Sequence, residues 1–281
     1  MPISSICSGL IPAVSTSMSS WEDADVARGE RAARQLLAEL KINHPVEVDI
    51  DTLAYMRGAL VRDTPMTGAQ GRSCRIGDRA IISINDQVTY MPRRRYVVAH
   101  ELGHLEIHRD RNQLSLCDEA SISERYDQGT EREANAFASA LLMPKALWDK
   151  RVDVKTPSLD LVSKLSHEFQ VSLTAAAIRF VKLCPERCAV VFSQDNRVVW
   201  AALGTDFGYS IRRDDQLSTF TMASDFFKKG SVPDRMETIS AQGWIESRRV
   251  GRDHDLKEHC RVIPSIAATL SLLWIPPGAD F

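Results

Sequence analysis

The 281-residue sequence has no long hydrophobic run and no large excess of either charge. No stretch reaches the roughly 18 apolar residues that a membrane-spanning helix needs. The 35 Lys and Arg residues nearly balance the 37 Asp and Glu residues, whereas proteins that bind nucleic acid through phosphate contacts are usually basic. Residues 1–20 contain no Lys or Arg and so lack the charged start of a secretory signal. We expect a loose leader over residues 1–20 and a soluble, cytoplasmic protein.

The cysteines are too dispersed for a disulfide framework, which belongs to small secreted domains. The six are Cys7, Cys74, Cys117, Cys184, Cys188 and Cys260. Cys184 and Cys188, together with His259 and Cys260, are the one set that could form a metal site away from the main motif. The three residues between Cys184 and Cys188 depart from the usual spacing of two, so we expect reduced structural thiols instead.

Hydrophobic periodicity predicts a mixed chain of helices and strands. Strands are expected at 59–62, 72–76, 80–84, 189–192 and 198–203, and helices at 21–41, 49–57, 93–109, 130–143, 159–169, 173–183 and 218–229. A polar loop is expected over 110–128, and a long apolar run covers 266–275. After Cys184 and Pro185 the predicted helices are followed by β-rich runs, which places a domain boundary there. We therefore expect one domain at 21–184, including a helical pair at about 157–183, and a second at 185–281.

The strongest chemical signal is an HExxH motif, formed by His100, Glu101 and His104. Residues four apart lie one helical turn above each other, so the two imidazoles can bind one Zn²⁺. Glu101 lies beside that ion, where it can accept a proton from a metal-bound water. The alternative is a surface helix with two solvated histidines, but the apolar stripe of Val98, Leu102 and Leu105 indicates an amphipathic helix.

A catalytic zinc normally has a third protein ligand, and the helix at 130–143 offers two acids for it. Glu131 lies about 50° from the apolar stripe of that helix and Glu133 about 110° on the other side. We therefore predict Glu131 as the ligand, with Glu133 as the rival pointing towards solvent. Asn135, one turn after Glu131, can hydrogen-bond a ligand imidazole. His108 is a weaker alternative, because three ligands on one straight helix do not converge easily on one ion.

Both motif helices resemble those of the ImmA/IrrE family of zinc metallopeptidases. The stretch 94–108 is similar to the family's RxRFxxAHELGHxxLH helix, and 131–144 to its ExxANxFAxxLLMP helix, with Glu131 and Asn135 at the matching positions. The resemblance covers about residues 21–183. Tyr96 departs from the usual Phe.

The resemblance implies an α+β fold with a zincin-like domain: a small sheet and active-site helices, followed by a helical pair. It implies Zn²⁺ as the cofactor and a cytoplasmic endopeptidase that cleaves a helix-turn-helix (XRE-like) repressor. Such cleavage would relieve repression of stress-response or mobile-element genes. The region after Pro185 resembles the C-terminal extension of longer members, which in some is a GAF-like sensor; here it is expected to be an α/β regulatory module.

The sequence leaves two other functions open. The pair at 157–183 has the outline of a DNA-binding helix-turn-helix, but its second helix offers only Arg179 and Lys182 to bases. A zinc-containing regulator could also bind a repressor without cutting it, although a structural site would not need Glu101. The residue that stabilises the oxyanion is not assigned by the sequence; the candidates are Tyr96, Tyr126 and His108.

Overall fold

The computed structural model describes residues 18–44, 46–47, 49–108, 115–117, 129–152, 156–251 and 253–279. Most of the expected leader therefore lies outside the described residues, and residues 18–20 already belong to the first helix. None of the helices in the described part is long and apolar enough to cross a membrane.

The first half combines a four-stranded sheet with helices packed on it. Its strands are β1 (Ala59–Thr64), β2 (Gly71–Ile76), β3 (Arg79–Asn85) and β4 (Ser115–Cys117). Its helices are α1 (Met18–Glu39), α2 (Ile50–Met56), α3 (Met91–Ile107), α4 (Gly129–Leu142) and the short α5 (Lys145–Trp148). The strand order is β1-β3-β2-β4, in which β1 pairs with β3 in parallel and the other pairs are antiparallel.

The predicted hairpin at Gly77-Asp78 is confirmed, since β2 and β3 pair around that turn. Gly77 has a φ of +59°, a backbone conformation that glycine adopts without steric cost. β4 was not predicted. It lies inside the stretch taken for a polar loop and pairs only through three residues.

Two glycines allow the helices around α4 to pack closely. At Gly103 on α3, a Cβ would lie 3.0 Å from Cδ1 of Phe137 and 3.2 Å from Cα of Ala134. At Gly29 on α1, a Cβ would lie 2.2 Å from the carbonyl oxygen of Glu133. A larger residue would therefore push either helix away from α4. This packing determines where the acidic first turn of α4 lies.

The second half is a five-stranded, fully antiparallel sheet preceded by two helices. The helices are α6 (Leu159–Glu168) and α7 (Leu173–Leu183), and α8 (Met222–Lys229) lies within the sheet region. The strands are β5 (Arg187–Gln194), β6 (Arg197–Leu203), β7 (Glu237–Ser240), β8 (Asp255–Ile263) and β9 (Ala268–Ile275), in the order β6-β5-β9-β8-β7. The predicted β5–β6 hairpin turns at Asp195 and Asn196, both with positive φ. β7 and β8 were not predicted.

Side chains alternate along β5 between two cores. Cys188 and Val190 belong to a core that extends through α7 to α3 and α4 in the first half. Ala189 and Val191 belong to a smaller core on the opposite face of the sheet, which includes Met222 of α8. The fold is thus mixed α+β, as expected, and one core continues across residue 184. The division into domains at 184/185 stays a prediction, as does the GAF-like character of the second half.

Candidate metal centre

The helix that carries the HExxH motif is held at its start by ion pairs. α3 begins at Met91, and Pro92 occupies its first turn, where a missing N–H costs nothing. The Arg94 guanidinium donates two hydrogen bonds to Asp51 on α2, of 2.9 and 2.8 Å, and two to Asp63 on β1. These bonds raise the pKa of Arg94. The basic run before the motif therefore has a local structural role at Arg94.

His100, His104 and Glu131 come together as predicted. Their ligand atoms lie within 4.8 Å of one another. The Nε2 atoms of His100 and His104 are 3.1 Å apart, and they lie 3.2 and 3.3 Å from the two carboxylate oxygens of Glu131. The two imidazole nitrogens and the Glu131 carboxylate thus form a compact triangle of donor groups. All three residues are buried, with His100 fully so.

The triangle has the dimensions of three corners of a zinc site. Bonds of 2.0–2.2 Å from a tetrahedral zinc place neighbouring ligands about 3.3 Å apart. Two imidazole nitrogens and a carboxylate oxygen are also a common donor set of catalytic zinc. The residues present therefore fit the ion.

The carboxylate of Glu131 is held in its charged form. Burial raises the pKa of Glu131, but the interactions with the neighbouring imidazoles of His100 and His104 outweigh this and bring it to about 2. A metal ligand must be deprotonated, so this carboxylate is ready to bind a cation.

Asn135 orients the ring of His100. Its Oδ1 lies 3.0 Å from Nδ1 of His100 and also accepts a hydrogen bond of 3.2 Å from the hydroxyl of Tyr96. An amide oxygen only accepts, so Nδ1 of His100 carries the proton and the Nε2 lone pair faces the triangle. The predicted contact between Asn135 and a ligand imidazole is therefore present.

Glu101 is completely buried beside the start of β2. A Cβ at Gly71 would lie 2.9 Å from Oε1 of Glu101 and 2.5 Å from Cγ1 of Val97. Only glycine leaves room here for the carboxylate. Sequence reasoning missed Gly71, because its contact with Glu101 depends on how β2 crosses α3. The only signal in the sequence was a glycine immediately before a predicted strand.

The expectation that Glu133 points towards solvent is wrong. Glu133 is 5% exposed, because α1 packs over this side of α4. Its carboxylate accepts hydrogen bonds of 3.1 and 3.2 Å from Arg28 on α1 and lies 3.3 Å from Nε2 of His108. Glu133 and His108, the two rival ligands, thus contact each other and lie outside the triangle.

Of the remaining oxyanion candidates, only Tyr96 belongs to the described residues. The hydroxyl of Tyr96 is directed at Asn135, and Tyr126 lies outside the described residues. The tyrosine that replaces the usual Phe therefore contacts the residue that orients His100, a role that the sequence did not indicate.

The cysteine-containing metal set is not assembled. Among the described residues, Cys184, Cys188, His259 and Cys260 form no metal-binding group, because His259 and Cys260 are consecutive on β8 and face opposite sides of the sheet.

A second acidic group exists where Asp160 and Asp234 lie near His259. The backbone N–H of Leu159 donates to Nδ1 of His259, so Nε2 carries the proton and has no lone pair for a metal. Arg261 already pairs with both aspartates. This group therefore does not suit a cation.

Comparison with known proteins agrees with the geometry. Residues 56–181 match the family model described as Peptidase_M78, IrrE N-terminal-like domain. No curated protein matches the chain significantly. A solved structure titled "Mycobacterium tuberculosis transcriptional regulator" is similar at 15% identity with a TM-score of 0.54, covering 91% of this chain and 79% of that chain. At this identity the similarity shows a shared fold.

Proposed function

We propose that this protein is a zinc-dependent endopeptidase, because residues 56–181 match the IrrE N-terminal-like domain of the Peptidase_M78 family. We propose as its substrate a helix-turn-helix repressor of the XRE-like kind. The observation that carries the proposal is the triangle of His100, His104 and Glu131 with a buried glutamate, Glu101, next to one of its corners.

The residues of the site have two roles, zinc binding and orientation of a ligand. His100, His104 and Glu131 would hold the zinc, and Asn135 would keep His100 in the tautomer that presents Nε2. When bound, zinc polarises the scissile carbonyl and lowers the pKa of a water ligand. Two neutral imidazoles and one carboxylate leave a net positive charge at such a site, which favours deprotonation of that water.

Glu101 supplies the proton transfer. Its carboxylate would accept a proton from the attacking water and then pass it to the nitrogen of the leaving amine. Its burial against Gly71 and Val97 restricts its rotamers, which keeps the carboxylate in one position during both transfers. A binding protein with a purely structural metal would have no use for such a base.

A role in transcription is supported by the family and by the neighbour's title, which describes that protein as a transcriptional regulator. Direct DNA binding by α6 and α7 is not favoured. Arg179 of α7 is 4% exposed and donates hydrogen bonds to Glu30 on α1 and to the carbonyl of Met143. Arg179 is thus not available to bases, which leaves only Lys182 of the two basic side chains on α7 exposed, and regulation would act through the repressor. We propose a cytoplasmic location for the same reason.

Glu101→Gln is the decisive variant. It should keep zinc and fold, because Gln is nearly isosteric and Glu101 is not a ligand, yet it should reduce cleavage by 10²–10⁴-fold. The assay is incubation with the cognate helix-turn-helix repressor, with fragments detected by mass spectrometry. Glu106→Gln on the same helix is the matched control, since its carboxylate pairs with Arg57 away from the triangle.

Derepression in cells separates cutting from binding. If Glu101→Gln derepresses the target promoter as well as the parent does, the protein acts by binding its repressor and the peptidase proposal is overturned.

A further inference from the structure

Cys184 and Cys188 lie in contact at the junction between α7 and β5. Cys184 is the residue that ends α7, where its N–H donates a 2.8 Å hydrogen bond to the carbonyl of Phe180. Cys188 is the second residue of β5. The chain reverses between them, Cys184 packs against the same core to which Cys188 belongs, and the two thiols interact with each other. Both are free thiols.

The connection between the two cysteines is held at several points. The N–H of Cys188 donates to the carbonyl of Glu186 over 2.8 Å, and the indole N–H of Trp274 donates to the Glu186 carboxylate over 3.1 Å. The carbonyl of Cys188 accepts a hydrogen bond of 2.9 Å from Gly204. A Cβ at Gly204 would lie 2.8 Å from that carbonyl oxygen. These contacts hold the backbone between the two cysteines in place.

The two thiols differ in access. Cys188 is completely buried, whereas Cys184 is partly exposed. An oxidant can therefore reach Cys184 first, with Cys188 directly behind it. Redox-sensitive cysteines are typically accessible thiols placed next to a second, resolving cysteine.

We propose that Cys184 and Cys188 form a reversible thiol–disulfide pair, in which Cys184 reacts with a peroxide and Cys188 resolves the product. The Cys184 thiolate attacks one oxygen of hydrogen peroxide, the O–O bond breaks, and a sulfenic acid and water result after protonation. The Cys188 sulfur then attacks the sulfenic sulfur, the S–O bond breaks, and a second water leaves. Two electrons pass from the two thiols to the peroxide, and an external dithiol reverses the change.

The electrostatics agree with this division of roles. The hydrogen bond from Cys188 lowers the pKa of Cys184. The same hydrogen bond, followed by burial, raises the pKa of Cys188. The thiolate, which is the nucleophile, therefore forms at the exposed sulfur.

The sequence makes the disulfide directly observable. Trypsin cuts after Lys182 and Arg187, which puts Cys184 in the peptide 183–187 and Cys188 in 188–197. Full-length protein is treated with hydrogen peroxide, alkylated and digested. The expected result is a linked pair of these two peptides, which separates after treatment with dithiothreitol. Oxidation confined to other cysteines, with 183–187 and 188–197 alkylated and unlinked, would overturn the proposal.

Variants test the order of the steps. In Cys188→Ser the sulfenic acid at Cys184 should persist and be trapped by a cyclic dione, whereas Cys184→Ser should show no such adduct at Cys188. Cys188→Ala serves if the buried Ser destabilises the fold. Cys74→Ser, which removes another partly exposed thiol, should form the linked peptides as the parent does. A trapped adduct at Cys188 in Cys184→Ser would refute the assigned roles.

Discussion

Asn135→Ala should weaken zinc binding without removing a ligand. The change deletes the acceptor, 3.0 Å from Nδ1, that orients the fully buried ring of His100. The Nδ1–H then has no amide oxygen to donate to, and the tautomer that presents Nε2 to the triangle loses its preference. The three ligands stay in place, so the effect measures orientation alone.

The expected magnitude follows from the contacts around Asn135. Loss of the partner of a ligand imidazole typically costs 10–100-fold in metal affinity, or about 1.4–2.7 kcal/mol. Tyr96→Phe deletes only the hydroxyl that donates to Asn135 over 3.2 Å. A neutral hydrogen bond contributes about 1 kcal/mol net, and only part of it reaches His100. Tyr96→Phe should therefore lower the zinc affinity less than about fivefold.

The measurement is competition for zinc with a chromophoric chelator, with circular dichroism to check the fold. Asn135→Asp is the matched control, because its carboxylate keeps an acceptor for Nδ1 and should retain most of the affinity. Equal zinc affinities of Asn135→Ala and the parent would refute the assigned role. If Tyr96→Phe lost more zinc affinity than Asn135→Ala, the conclusion that Tyr96 acts on His100 only through Asn135 would be wrong.

Two further variants test the site and the second half of the chain. Glu131→Ala should lose zinc, whereas Glu133→Ala should keep it, although it breaks an ion pair with Arg28. The measurement is metal analysis of both purified proteins, and the opposite result would make Glu133 the ligand. Glu258→Gln should lower the free energy of unfolding in urea by about 2–5 kcal/mol, since the new amide group faces two of the four buried donors that now bond this carboxylate. Glu246→Gln, in an exposed ion pair, should cost less than about 1 kcal/mol, and equal losses in both would contradict the argument.

The sequence predicted the local parts of the site well. α4 has clear helical periodicity. On α3, which is buried on nearly all sides, one helical turn between His100 and His104 is enough to bring their rings together. The choice between Glu131 and Glu133 needed only the angle around one helix. It named the residue that the structure places in the triangle.

Features that depend on packing were not predictable in this way. The burial of Glu133 results from α1, whose close approach depends on Gly29, and a helical angle within α4 contains no information about α1. β8 carries polar residues that end up buried, such as Glu258, and β7 is a short strand with no buried residue, so their hydrophobic patterns are weak. Similarly, no spacing rule indicated that Cys184 and Cys188 would meet across a helix end.

The core that runs from α3 and α4 through α7 to β5 and β9 contains buried side chains of both halves of the chain. A ligand that binds only the folded state stabilises every segment that unfolds together with its site. If the shared core makes unfolding a single transition, zinc at His100 stabilises the antiparallel sheet as well. Trp200 and Trp274, which pack against this core from β6 and β9, would then report metal binding through the temperature at which their fluorescence changes. Thermal unfolding of the second half of the chain would then report whether zinc is bound in the first.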